Sequence, residues 1–208
     1  MRVIVFLVFL LSAQSALAQT VLQCSPAHEQ IVREALDRAK SLTIKAATAV
    51  GDTPEYARWF GTYSDRNAEV VRANLKGVVR AIRSGGVSVQ CDSNRDDGCR
   101  NREYAWVYPH EPYHIYLCPS FFTMPPLTAL QPYTTASNNG TREGTFIHEL
   151  SHFRTGGRTD DHCYTRRVCA RMAESDPMRA IDNADSYQYY TEDVIYYASQ
   201  PVSGKTTP

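Results

Sequence analysis

Long hydrophobic runs are missing from this 208-residue chain after Leu11, and nothing beyond that point approaches the roughly 20 apolar residues of a membrane span. An excess of charge is missing too. Lys+Arg 22 stand against Asp+Glu 22, so there is no basic field to attract nucleic acid. No internal repeat is visible, and 43% hydrophobic with 21% charged residues is the composition of neither a disordered tail nor a fibre. Cysteine pairs at zinc-knuckle spacing are absent as well: Cys91 and Cys99 stand too far apart, and so do Cys163 and Cys169.

What is present begins with Met1-Arg2, the apolar run Val3 to Leu11 and the small-residue triplet Ala16-Leu17-Ala18, which have the charge, core and cleavage site of a secretory signal peptide. Residues 1–18 are therefore expected to be removed, and residues 19–208 to form the mature protein. That leaves 190 residues and, without Arg2, one net negative charge, enough for one domain with a sizeable core and too few for two. A soluble, secreted monomer is expected, with neither membrane nor nucleic acid as a partner. Six cysteines in an exported chain are expected to be oxidised in pairs.

The chain divides by texture. Ile31, Ala35, Leu36, Ala39, Leu42 and Ala46 recur at helical spacing after Ser25-Pro26. Gly51-Asp52-Thr53-Pro54 breaks that helix, a second carries Tyr56, Trp59 and Phe60, and a third runs from about Asp65 to Arg83 before Gly85-Gly86. Three β-branched and aromatic runs follow, at 87–90, 104–108 and 113–117, and predict a small antiparallel sheet. Residues 119–145 read as a long loop, with a glycosylation acceptor at Asn139 if the host is eukaryotic. Helices are expected again over about 144–154, 161–174 and 178–198. The fold class is α+β, a mostly helical single domain.

The chemistry concentrates in His148-Glu149-Leu150-Ser151-His152. Residues four apart on a helix lie one turn above each other, so two imidazoles face one point with Glu149 beside it. Neutral imidazoles suit zinc, and the carboxylate can take a proton from water held there. A third ligand is needed. Gly and His at 155 and 158 would make a metzincin, but Thr155 and Arg158 stand there. Glu174 on the next helix is one candidate, and the Thr159-Asp160-Asp161-His162 turn that opens that helix, with Thr159 as its N-cap, is a nearer one.

With that turn the sequence resembles the aspzincins, the family of the deuterolysins and the peptidyl-Lys metalloendopeptidases, and the likeness covers nearly the whole mature chain through Trp59-Phe60-Gly61-Thr62-Tyr63, Ala105-Trp106-Val107-Tyr108-Pro109, Ile115-Tyr116-Leu117-Cys118 and Asn183-Ala184-Asp185-Ser186-Tyr187. The resemblance implies a zincin-like fold, one zinc ion held by His148, His152 and Asp161, Glu149 as general base, and Tyr164 as stabiliser of the oxyanion. At i and i+3 on one helix, Asp161 and Tyr164 would share a face. It also implies the pairs Cys24–Cys91 and Cys99–Cys118. Cys163 and Cys169 are extras, and six residues on an ideal helix separate them, so their pairing needs a break in that helix.

The chain departs from the family pattern at Arg158 and Thr165, where glycine is usual, so a slightly different backbone is expected at both. No long propeptide separates the signal from Cys24, and latency by a prosegment is not expected. In the lysine-cleaving branch two carboxylates serve the pocket for lysine on the carboxyl side of the cut; here Asp185 is present and Gln188 replaces the second. The expected function is a secreted zinc metalloendopeptidase acting on proteins or peptides before lysine, less strictly than its relatives. The rivals are a secreted zinc-binding effector that works by docking, which has no need of Glu149, and a zinc hydrolase of another bond. The run Tyr113 to Leu117 is taken as the sheet edge that pairs with substrate. His110 with His114, His162, and the tyrosines 187, 189, 190, 196 and 197 receive ordinary surface, neighbouring or packing roles.

Overall fold

The computed structural model describes residues 20–130 and 134–194. The signal-peptide reading of residues 1–18, the end of the last expected helix and Tyr196 and Tyr197 lie outside them.

Helix α1 (Pro26–Ala49) starts where Ser25 accepts the His28 N–H and Pro26 supplies the first turn. Its Val32, Leu36, Ala39 and Ala46 stripe is fully buried against α3 (Asp65–Arg83), whose own stripe is Val71, Leu75 and Val78. Each large side chain so buried contributes roughly 1.5–3 kcal/mol. Between them α2 (Pro54–Phe60), capped by Thr53, sends Tyr56, Trp59 and Phe60 into the core. These three helices follow their apolar spacing closely.

The sheet has four strands in the order β1 (Thr20–Leu22), β2 (Ser88–Cys91), β4 (His114–Leu117), β3 (Ala105–Val107). It is mixed, not antiparallel throughout: β1 and β4 both run parallel to β2, and only β3 with β4 is antiparallel. The cause is topological. The chain leaves β2, forms β3 further out, and turns back into the gap, so β4 enters in the direction of β2. Consequently β4 is an interior strand, and the edges are β1 and β3, contrary to the expectation for Tyr113 to Leu117. The disulfide Cys24–Cys91 joins the first segment to the end of β2, and Cys99–Cys118 closes the excursion to β3.

The expected long loop after Cys118 contains short 3-10 turns at Pro119–Thr123, Leu127–Ala129 and Thr135–Asn139. Helix α4 (Arg142–Ser151) begins at Thr141, which caps the Gly144 N–H. Thr141 is thus buried, while Asn139 of the glycosylation triplet is exposed. Helix α5 (Arg166–Ser175) begins five residues later than expected, because 161–165 is irregular. The last expected helix is broken into α6 (Pro177–Ile181) and α7 (Ala184–Glu192). Every residue of α7 is buried, and it packs along α4.

Gly77 marks where α3 meets the chain leaving α4. A Cβ there would stand 1.5 Å from the Thr155 carbonyl oxygen. Helix propensity alone favours Gly77→Ala by about 1 kcal/mol, but a clash with backbone forces a shift that costs about 1–3 kcal/mol. Packing decides the sign: Gly77→Ala is expected to lower the melting temperature by several degrees, and calorimetry would show an increase if the contact is looser than described.

Candidate metal centre

Helix α4 places His148 and His152 one turn apart with ring centroids 4.9 Å from each other. Asp161 arrives from the irregular segment between α4 and α5. Its Oδ1 lies 3.2 Å from His148 Nε2 and its Oδ2 lies 3.6 Å from His152 Nε2. Ligands about 2.0–2.1 Å from a tetrahedral zinc stand about 3.3 Å apart, so these gaps suit a shared ion. Among the described residues, His148, His152 and Asp161 form the one group of three metal-binding side chains, with ligand atoms within 4.8 Å of one another.

The fit extends to the other side of each ring. His148 Nδ1 donates to Asp185 Oδ1 at 2.8 Å, and His152 Nδ1 donates to the Thr159 carbonyl at 2.7 Å. A carbonyl only accepts, which assigns the Nδ1 proton of His152 and leaves its Nε2 lone pair for a metal. Thr159 is itself held by its N–H to Ser151 O and by its hydroxyl 2.5 Å from Ser151 Oγ. It is therefore a buried link between α4 and the ligand segment, not a helix N-cap. Asp160 accepts the Asp161 N–H and is not in the group of three metal-binding side chains.

Charge follows this geometry in the metal-free protein. Burial works against a charged His148, yet the Asp161 and Asp185 carboxylates hold its imidazole well above the ordinary range. Burial likewise opposes ionisation of Asp161, but the two histidines outweigh it and bring its carboxyl down to about 2. Burial raises Glu149. Tyr164, pushed up by burial and by Asp161 beside its hydroxyl, keeps its proton.

These groups line one cleft of about 710 Å³, together with Ala105, Trp106 and Val107 of β3 and with Asp185 and Gln188 of α7. Asp161 and Tyr164 do not share a helix face; the turn ahead of α5 brings them together. That late start also provides the break that the third disulfide, Cys163–Cys169, requires. Arg158 and Thr165, which stand where glycine is usual, have positive φ, 58 and 70, a region glycine enters freely. For the β-branched Thr165 this is strain of about 1–3 kcal/mol, opposed by its N–H bond to Asp185 Oδ2 and by the disulfide.

The remaining candidates lie apart. Glu174 is exposed on α5 and outside the group of metal-binding side chains. His162 Nε2 pairs with Asp182 at 2.9 Å, and the exposed His110 faces Glu111 at 3.9 Å. His114 packs on Tyr116. Tyr187 and Tyr190 are core residues. Asp185, assigned from sequence to the substrate pocket, is first of all the partner of His148. A separation of 37 residues links the two, and no spacing rule connects residues that far apart. Removing that partner with Asp185→Ala is expected to weaken metal binding about 10–100-fold, measured by competition with a chromophoric chelator; unchanged affinity would mean that α4 orients His148 unaided.

The chain resembles known proteins over most of its length. The aspzincin family model, described as lysine-specific metallo-endopeptidase, matches residues 45–192. An extracellular protease of Aeromonas hydrophila is 30% identical over 174 residues, 82% of this chain and 46% of that protein. A peptidyl-Lys metalloendopeptidase of Pleurotus ostreatus is 29% identical over 177 residues, 83% of this chain and 96% of that one. The chain thus spans about half the length of the first relative and nearly all of the second. The solved zinc peptidase from Grifola frondosa superimposes with a TM-score of 0.69 at 25% identity, covering 82% of this chain and 98% of that one. With its ligand geometry and a family match over most of its length, the chain belongs to the aspzincin family of metallo-endopeptidases.

Proposed function

We propose that this protein is a secreted endopeptidase that holds one zinc ion through His148, His152 and Asp161 and cuts protein or peptide chains before lysine. The observation that carries the reading is the convergence of both imidazole Nε2 atoms and the Asp161 carboxylate at the floor of an open cleft, with the buried Glu149 beside them. The family supports the chemistry, and the names of the relatives from Aeromonas hydrophila and Pleurotus ostreatus support extracellular action and the lysine preference respectively. The sequence of residues 1–18 and three disulfides support export.

A bound zinc supplies a Lewis acid that polarises a carbonyl and lowers the pKa of water. The protein's own groups do the rest. Glu149, whose carboxyl burial raises, takes the proton of the attacking water and delivers it to the leaving amine. Tyr164 keeps its proton and donates a hydrogen bond to the carbonyl oxygen as charge develops there. The free edge of β3 pairs with the extended substrate backbone. A docking protein would have no use for a buried base at this point.

Lysine preference rests on Asp185 and Gln188, both on the cleft wall. The Asp185 oxygens already serve His148 and Thr165, but each keeps a second lone pair for an ammonium. Gln188 offers a neutral oxygen where a second carboxylate would add a charge-assisted bond of about 1.5–3 kcal/mol. Selectivity is therefore partial.

Two outcomes test the reading. Glu149→Gln should keep zinc near one per chain and lose casein cleavage by at least about 100-fold; turnover retained in that variant would remove Glu149 from the mechanism. A peptide library read by mass spectrometry should show lysine leading on the carboxyl side of the cut, with arginine or uncharged polar residues also accepted. Gln188→Glu should sharpen that preference about tenfold or more, and a library with no basic preference would place the lysine contact elsewhere.

A further inference from the structure

The segment from Thr159 to Thr165 delivers Asp161 and Tyr164 to the centre with neither helix nor strand to shape it. The residues that open α7 hold it instead. The Asp160 N–H donates to Asp182 O at 2.8 Å, and the Ala184 N–H donates back to Asp160 O at 3.1 Å. The Thr165 N–H donates to Asp185 Oδ2 at 3.0 Å. Between these two anchors, the His162 and Cys163 N–H groups both donate to one atom, Asn183 Oδ1, at 2.9 and 3.0 Å. Those two amides are the ones that lie between Asp161 and Tyr164.

Asn183 is fully buried, and its position is unusual in chemistry as well as place. It stands at the N-cap of α7, where an asparagine ordinarily accepts an N–H of its own helix. Its side chain makes no such bond. The amide nitrogen points instead to Ser186 Oγ at 3.3 Å and Cys169 Sγ at 3.8 Å, which fixes the orientation of the oxygen. The capping capacity of α7 is thus spent on a segment 20 residues earlier in the chain.

We propose that Asn183 is a positioning residue for the metal centre: by accepting the 162 and 163 amides it sets the backbone from which Asp161 and Tyr164 project. Together with Asp185, two residues further on, it makes the start of α7 the part of the protein that orients both His148 and Asp161. The inference rests on the zinc-centre reading above. Replacing Asn183 with alanine leaves two buried or half-buried N–H groups without an acceptor, and the segment can relieve this only by moving.

The test compares Asn183→Ala with Asn183→Asp, which keeps an acceptor oxygen of the same reach. Zinc affinity is measured by chelator competition, alongside the melting temperature of the zinc-free proteins and kcat and KM on a peptide. Asn183→Ala should bind zinc about 10–100-fold more weakly and lose kcat with little change in KM, while Asn183→Asp should stay within a small factor of wild type. An alanine variant with wild-type zinc affinity overturns the proposal, and so does an aspartate variant as weak as the alanine one. Should the alanine variant fail to fold, the aspartate variant still decides: retained affinity supports the acceptor role, lost affinity refutes it. A wild-type protein that binds no zinc would sink the metal-centre reading itself, a different result from normal zinc binding in all three proteins.

Discussion

The hydrogen bond from His148 to Asp185 joins α4 to α7 at the one place where both must be correctly set. An imidazole on a helix can rotate and can carry its proton on either nitrogen. Once Nδ1 is committed to a carboxylate, Nε2 has a fixed direction, and a metal bound there takes the place of the proton it would otherwise carry. The same logic repeats at His152 with the Thr159 carbonyl, so both rings are prepared before any metal arrives. A ligand set arranged in advance does not spend binding energy on ordering its side chains.

Holding Asp185 in place requires a rigid α7, and that helix is buried on all sides although it carries Asp185, Gln188 and Glu192. The cost of burying those polar and charged groups is offset by partners on the neighbouring elements. Arg166 of α5 bonds both Glu192 and Asp193 while lying over the rings of Tyr189 and Trp59, 4.6 and 5.6 Å from their centroids. Trp59 of α2 donates to Asp193 at 2.8 Å, and Thr141 at the start of α4 donates to Glu192 at 2.8 Å. Burial still pushes the Glu192 carboxyl up to about 7. Three helices are therefore tied through one guanidinium and the start of a fourth through the Glu192 carboxylate, a network whose loss would leave uncompensated charge in the core. The floor of the cleft is built on that network.

The segment between α4 and α5 is the opposite case, with no repeating hydrogen bonds and a strained Thr165. Its shape comes from individual bonds to Ser151, Asp182, Asn183 and Asp185 and from the Cys163–Cys169 disulfide. Arg158 and Thr165 hold a conformation that glycine would adopt freely, on either side of the residues that carry Asp161 and Tyr164. Tertiary bonds oppose what local preference would undo.

Reading along the chain reveals whatever a helix makes local. His148, Glu149 and His152 share a point because 3.6 residues make a turn, and the apolar stripes of α1 and α3 identify themselves by the same period. Asp161 stands among the candidates that the Thr159–His162 turn offers, but its choice and the role of Tyr164 come through a likeness to a family, and neither residue lies on a helix. Only the tertiary structure decided the parallel entry of β4, which made β3 an edge, and the pairing of Asp185 with His148. Only it decided, too, that Asn183 serves a distant segment and not its own helix. Each joins residues separated by 20 or more positions, where no periodicity relates one to the other. Such contacts are selected by which buried polar group finds a partner once the helices have packed.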